Sequence, residues 1–194
     1  MKLIGFPKRH QQVTTFPTDG PWFQAAKTAH ASLKVGGIVV LYGDRGTGKT
    51  LMSYDLARNG GLGLPFGDGS IRPAIYRTAM EIFIDIRDTY RRDSEQSEKE
   101  VMQELSDASL LVIDEIQERG ETTFEDQKLT AIIDKRYRQI RPTLIIGNYA
   151  TKRGFLESIS PSIRSRIQEG GGAIHCDWAS FRTSKNADVE LPRK

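Results

Sequence analysis

The pattern of hydrophobic and polar positions alternates between two periods along this chain. Ile38-Val39-Val40-Leu41-Tyr42 is a continuous apolar run behind Gly36-Gly37, with the length and composition of a strand buried on both faces. Ala74–Thr78 and residues 109–114, 143–148 and 173–178 have the same character. Helical periodicity fills the gaps. Pro21 suits the first position of a helix whose apolar stripe is Trp22, Ala25, Ala26, Ala29 and Leu33. Residues 50–58 predict a second helix, stopped by Asn59-Gly60-Gly61. Thr123 with Asp126 resembles a capping box ahead of Leu129, Ile132, Ile133 and Ile140. Ser160-Pro161 reads as an N-cap followed by proline at the first helical position. Five strands alternating with helices predict an α/β fold, a mostly parallel sheet covered on both faces. Residues 1–20, broken by Pro7, Pro17 and Gly20, predict an irregular arm ahead of a domain over 21–182. Residues 60–69 predict a glycine-rich surface loop, and the polar, aperiodic residues 183–194 a flexible tail.

Between the first strand and its helix lies Gly43-Asp44-Arg45-Gly46-Thr47-Gly48-Lys49-Thr50, followed by Leu51. This is a complete GxxxxGK[ST] phosphate-binding loop. Its glycines let backbone N–H groups turn inward around phosphate oxygens, Lys49 brings a point charge to the β- and γ-phosphates, and Thr50 offers a hydroxyl to Mg²⁺. A strand, a loop and a helix N-terminus in succession make an anion site.

Three later positions extend that site. The strand at 109–114 runs into Glu115, so it ends in two carboxylates. In an ATP site, Asp114 would hold the Mg²⁺ shell and Glu115 would orient and deprotonate the attacking water. By itself the pair also fits the polar end of a buried strand. Asn148 ends the next strand, where an amide can bridge water and γ-phosphate; it also fits a turn-forming residue before Tyr149. Arg166, on the helix after Ser160-Pro161, is a candidate for stabilising phosphoryl charge from a neighbouring subunit. Taken singly it reads as a solvated surface arginine.

The chain has 194 residues, enough for one domain with its own core. Lys plus Arg is 28 against 25 Asp plus Glu, a net charge of +3, which permits a nucleic-acid partner without requiring one. The single cysteine, Cys176, excludes an intrachain disulfide and a multi-cysteine zinc site, and fits a reducing, cytoplasmic setting. No stretch approaches the roughly 18 apolar residues of a membrane span.

With these residues in hand, the chain resembles an AAA+ ATPase, and within that class the DnaC/IstB group of helicase loaders and transposition ATPases. The resemblance rests on residues 43–50, Leu111-Val112-Ile113-Asp114-Glu115-Ile116, Ile133-Asp134-Lys135-Arg136-Tyr137 before Arg141-Pro142-Thr143, Asn148, Arg166, and the closing Asp177-Trp178-Ala179-Ser180-Phe181-Arg182. It implies ATP and Mg²⁺ as cofactors. It implies Asn148 as sensor 1, Arg166 as an arginine finger acting in trans, and Arg182 as a sensor 2-like residue. It further implies slow ATP hydrolysis, stimulated by partners, in an oligomer with ATP between subunits. The group carries a helix after the second strand that contacts single-stranded DNA; here that is residues 80–93. Arg87 and Arg91 would share one face of it, with Tyr90 and Arg92 nearby.

Three departures qualify the resemblance. About forty residues precede the phosphate loop, too few for an independent helicase-binding domain, and little chain follows Arg182 for a helical lid domain. Ser162 also stands where many relatives carry a second arginine. The leading expectation is a DNA replication protein that loads a replicative helicase, assembling on single-stranded DNA. The alternatives are an IstB-like transposition regulator on duplex DNA, a small-molecule kinase and a nucleotide-gated binding module. A kinase is disfavoured because no arginine-rich lid or acceptor pocket is legible.

Overall fold

The structure, a computed structural model, describes residues 1–63, 69–120 and 122–181. Its elements in chain order are β1 (Leu3–Ile4), α1 (Lys8–Gln11), α2 (Gly20–Lys34), β2 (Ile38–Tyr42), α3 (Lys49–Asn59), β3 (Ala74–Thr78), α4 (Ala79–Asp88), α5 (Glu98–Asp107), β4 (Leu110–Asp114), α6 (Thr123–Arg138), β5 (Thr143–Gly147), α7 (Lys152–Glu157), α8 (Pro161–Gly170) and β6 (Gly172–His175), with a 3₁₀ turn at Ile116–Glu118. The six strands form one parallel sheet in the order β1-β3-β4-β5-β2-β6.

The strands β2, β4 and β5 are buried along their whole length because each has a layer on both sides. Ile38, Val40, Leu111, Ile113 and Ile145 face one core, shared with α4, α5, α6 and α8. Val39, Leu41, Leu110, Val112, Leu144 and Ile146 face the other, shared with α2 and α3. The two-residue period of a strand thus sends alternate side chains into separate cores.

The expected α/β architecture is present, with six strands in place of five. The sixth is β1, inside the stretch read as an irregular arm. It pairs with the edge of β3, and Phe6 is buried behind it. Gly5 allows that approach: its φ is +79°, and a Cβ there would lie 2.2 Å from the Tyr76 carbonyl oxygen. Two helix limits also differ from expectation. The capping box of α6 begins one residue earlier, with Thr122 Oγ1 accepting the Glu125 N–H at 3.3 Å. Asp126 instead faces the buried Arg119 at 3.6 Å. The helix expected over 80–93 ends at Asp88, so Tyr90, Arg91 and Arg92 lie in the turn that follows and the one-face spacing of Arg87 and Arg91 does not hold. The tail 183–194 and Arg182 lie outside the described residues, as do residues 64–68 of the glycine-rich loop.

At the amino edge of the sheet one side chain ties four segments together. Arg136 is fully buried; its Nε donates to Thr143 Oγ1 at 2.9 Å. Its Nη1 donates to the carbonyls of Leu105, Ser106 and Ala108, each at 2.9 Å, and its Nη2 to Pro142 O at 2.6 Å. Burial, reinforced by the Arg141 cation, pulls its pKa down to about 9, which leaves it charged at neutral pH. Arg136→Met is expected to destabilise the fold by about 3–5 kcal/mol, because several buried carbonyls lose their donor at once. Urea unfolding at pH 7 measures this; a loss below about 1 kcal/mol would contradict it.

Candidate functional site

The site lies at the carboxyl ends of the strands, where a doubly wound sheet presents its crevice. β2 has β5 on one side and β6 on the other, and the chain leaves β2 directly into the phosphate-binding loop. Gly48 ends that loop in a left-handed conformation, φ 81°, and caps α3. Lys49 is buried, and its Nζ donates to Gly43 O at 2.8 Å and Asp44 O at 2.6 Å. Thr50 Oγ1 donates to Asp114 Oδ2 at 2.7 Å.

β4 delivers Asp114 and Glu115 beside the loop. The second Asp114 oxygen, Oδ1, accepts the Glu115 N–H at 2.7 Å. Glu115 takes a left-handed backbone, φ 53°, uncommon for a residue with a side chain and shared with Ile140 outside the cleft. Burial raises its carboxyl above the ordinary range, and the neighbouring Asp114 charge raises it further. Asn148 follows β5, its N–H held by Gln117 Oε1 at 2.9 Å. A cleft of about 500 Å³ is lined by Gly46, Gly48, Lys49, Thr50, Leu51, Asp114, Glu115 and Asn148 together. Arg45 also borders it and pairs with the exposed Glu118 at 3.2 Å. Thr47, within the loop, is buried, and its hydroxyl donates to Asp44 O at 3.1 Å.

Arg166 does not line this cleft. It stands on α8, 3.3 Å from Asp134 and with its guanidinium over the Tyr137 ring, 4.8 Å from the centroid. The basic group after β3 lies elsewhere again. Arg87 pairs with the buried Glu125 at 3.1 Å and covers Phe124, and Arg91 lies 3.7 Å from Asp88. Tyr90 donates to Glu98, and Arg92 is exposed.

Several site residues escaped the sequence reading. Tyr76, on β3, is buried and donates its hydroxyl to Asp114 Oδ2 at 2.8 Å. Burial first and the Asp114 charge second push its phenol far above the usual range, so it remains a donor. Pro7, Arg9 and His10 bring the N-terminal segment to the cleft rim. The closing aromatic run acts on the loop itself: Trp178 Nε1 donates to Thr47 O at 2.7 Å and the Phe181 N–H to Gly46 O at 2.9 Å. Trp22 Nε1 reaches Gly48 O at 3.3 Å. The Phe181 ring lies so near Gly48 that a Cβ there would come within 2.8 Å of it. Contacts made across such chain separations leave no local pattern to read.

Thr50 and Asp114 supply hard oxygen donors, the kind Mg²⁺ prefers. Among the described residues no group of three His, Cys, Asp or Glu could hold a metal unaided, so water and phosphate oxygens would complete a Mg²⁺ shell here. The raised Glu115 carboxyl has a stability consequence. A carboxyl raised in the folded state favours folding while protonated, below its ordinary value of about 4.3, and loses that contribution as pH rises through the folded value. Glu115→Gln is therefore expected to melt slightly above the parent at neutral pH, the gap closing as pH falls toward about 4. Scanning calorimetry over that range tests the sign; a lower melting point at neutral pH would contradict it.

Comparison with known proteins agrees with this geometry. The sequence profile of the ATPase family associated with various cellular activities (AAA) matches residues 39–170. The replicative helicase loader DnaC of Escherichia coli (strain K12) is 29% identical over 107 residues, which are 55% of this chain and 43% of that protein. The chain therefore spans under half the length of the curated relatives it matches. Among solved structures, the crystal structure of the DnaC helicase loader superposes with a TM-score of 0.68 at 14% identity, covering 87% of this chain and 99% of that one. That of DnaI superposes with a TM-score of 0.62 at 15% identity, covering 90% and 96%. With the phosphate loop, the Asp114-Glu115 pair and Asn148 gathered in one cleft inside the matched region, this chain belongs to the AAA family of ATPases.

Proposed function

We propose that this protein is an ATP-hydrolysing replication factor of the DnaC type, acting on a replicative helicase. The observation that carries the hydrolytic half is the gathering of Lys49, Thr50, Asp114, Glu115 and Asn148 in one cleft. Lys49 and the N-terminus of α3 hold the β- and γ-phosphates. Thr50 and Asp114 would hold Mg²⁺, which when bound neutralises charge on the phosphate oxygens. Glu115 takes a proton from the water whose oxygen bonds to the γ-phosphorus as the bond to the ADP oxygen breaks. Its raised pKa makes it a better proton acceptor than an ordinary carboxylate. Asn148 orients that water against the γ-phosphate. The loader half is supported by the similarity to DnaC in sequence and backbone.

Arg166 completes the site from a neighbouring subunit. Its position on α8, outside the cleft of its own chain, and its partial exposure support a role in trans. Asp134 and Tyr137 hold the guanidinium ready at that surface. Arg182, outside the described residues, remains the proposed sensor 2-like contact. Single-stranded DNA is the proposed nucleic-acid ligand of Arg87, Tyr90, Arg91 and Arg92. Only Arg92 and the exposed face of Tyr90 would meet it without first exchanging a carboxylate partner.

Arg166→Ala should bind ATP as a single chain yet turn it over about a thousandfold more slowly, the effect of losing such an arginine. Mixing it with Lys49→Ala chains should restore part of the activity; no restoration would move Arg166 to a cis role or none. The loader reading is tested by co-elution with the replicative helicase of the same source, with ATP and without. An ATP-sensitive complex is expected. ATP-dependent filaments on duplex DNA with no helicase complex would replace this reading with the transposition-type ATPase.

A further inference from the structure

Asp114 has two carboxylate oxygens, and the fold commits both. Oδ1 is taken by the next backbone N–H, from Glu115. Oδ2 receives two hydroxyls, Thr50 at 2.7 Å and Tyr76 at 2.8 Å. The Thr50 contact follows from the phosphate loop lying beside β4. The Tyr76 contact does not: it comes from β3, on the far side of β4 from the loop, and no other part of the proposed chemistry requires it.

The sheet register explains the reach. Tyr76 pairs with Val112, two residues before Asp114 on the same face of the sheet. A phenol is long enough to span that offset, so its hydroxyl meets the carboxylate from within the protein. The ring has little freedom to swing away. Phe6 packs against it at 5.4 Å, and Tyr54 backs Phe6 edge-on at 5.8 Å. Tyr76 itself is 7% exposed, yet it contributes to the lining of the nucleotide cleft.

A carboxylate with one oxygen held by two fixed hydroxyls has one orientation available to it. We infer that Tyr76 is a positioning residue for the metal–nucleotide complex: its hydroxyl holds Asp114 Oδ2 against Thr50, so that the donor pair proposed for Mg²⁺ is set before nucleotide arrives. This rests on the ATP and Mg²⁺ reading of the cleft. Without the phenol hydroxyl, the Asp114 carboxylate keeps its charge and its bonds to Thr50 and the Glu115 N–H but loses the one tie from β3, and making up that lost order opposes metal binding. In that reading Oδ2 of Asp114 meets the nucleotide through the metal, so the effect should appear in the metal-dependent part of binding.

Tyr76→Phe keeps the ring and its packing on Phe6 and removes only the hydroxyl. The experiment measures equilibrium binding of a fluorescent ATP analogue at a series of Mg²⁺ concentrations, and separately in excess chelator. The Mg²⁺ concentration giving half of the metal-dependent gain should rise about three- to tenfold, the net scale of one ordinary hydrogen bond, while affinity in chelator stays at the parent value. Phe6→Leu leaves the hydroxyl but loosens the ring, and should move the midpoint in the same direction by less. If the parent protein gains affinity from Mg²⁺ and Tyr76→Phe has the same midpoint, the inference is overturned while the ATP and Mg²⁺ reading stands. A loss of affinity equal with and without metal would also overturn it, because that is what a purely structural role predicts. If the parent gains nothing from Mg²⁺, both the reading and the inference fall.

Discussion

A buried guanidinium holds the frame on which this site is assembled. Arg136 joins the end of α5, the approach to β4 and the first residue of β5 through carbonyls and a hydroxyl that have no water to turn to. A buried polar group without a partner is costly, so these segments are bound to one arrangement. That arrangement sets how β4 and β5 enter the sheet, with Leu111 opposite Thr143 and Ile113 opposite Ile145. The strands are five residues each, so an offset at their start would carry to their ends. Asp114, Glu115 and Asn148 meet the phosphate loop because those ends finish level.

The site itself shows how little of its geometry belongs to any single segment. The loop supplies Lys49 and Thr50, yet Trp22, Trp178 and Phe181 hold its carbonyls from elements before and after it. Asp114 is committed to groups from α3 and β3. This is how rigid elements give precision to short polar contacts: the backbone defines the distance and distant aromatic side chains remove the remaining freedom. The aromatic run at 178–181, part of the family resemblance, thereby acquires a physical role as a clamp on the phosphate loop.

The N-terminal segment extends the same principle. β1 adds to the sheet edge, Phe6 enters the core between Tyr54 and Tyr76, and Arg9 and His10 arrive at the cleft rim. Covering an edge strand protects unpaired backbone groups, and here it also places a buried aromatic contact one residue from the Asp114 carboxylate.

The sequence by itself determined whatever depends on neighbours along the chain. Five of the strands are legible because continuous apolar runs between glycines, prolines and polar turns have few other uses. The GxxxxGK[ST] pattern is legible because it lies in eight consecutive residues, and Asp114-Glu115 and Asn148 stand out because each ends an apolar run; the fold brings all of them to one cleft. Capping signals were legible to within a residue, as Thr122 and Ser160 show. The tertiary structure alone decided what depends on residues far apart. A two-residue strand such as β1 carries no periodicity and exists only because β3 offers an open edge. The helix after β3 stops at Asp88 even though apolar and basic spacing continues past it, because propensity is weak beside tertiary packing. Tyr76 reads as one more apolar strand residue until β4 brings Asp114 beside its hydroxyl, and Arg136 as one more helix-surface cation until four segments close over it. Short-range order follows from local sterics and hydrophobic period; long-range polar contacts follow from which strands become neighbours, and the sheet order was decided only when the two cores packed.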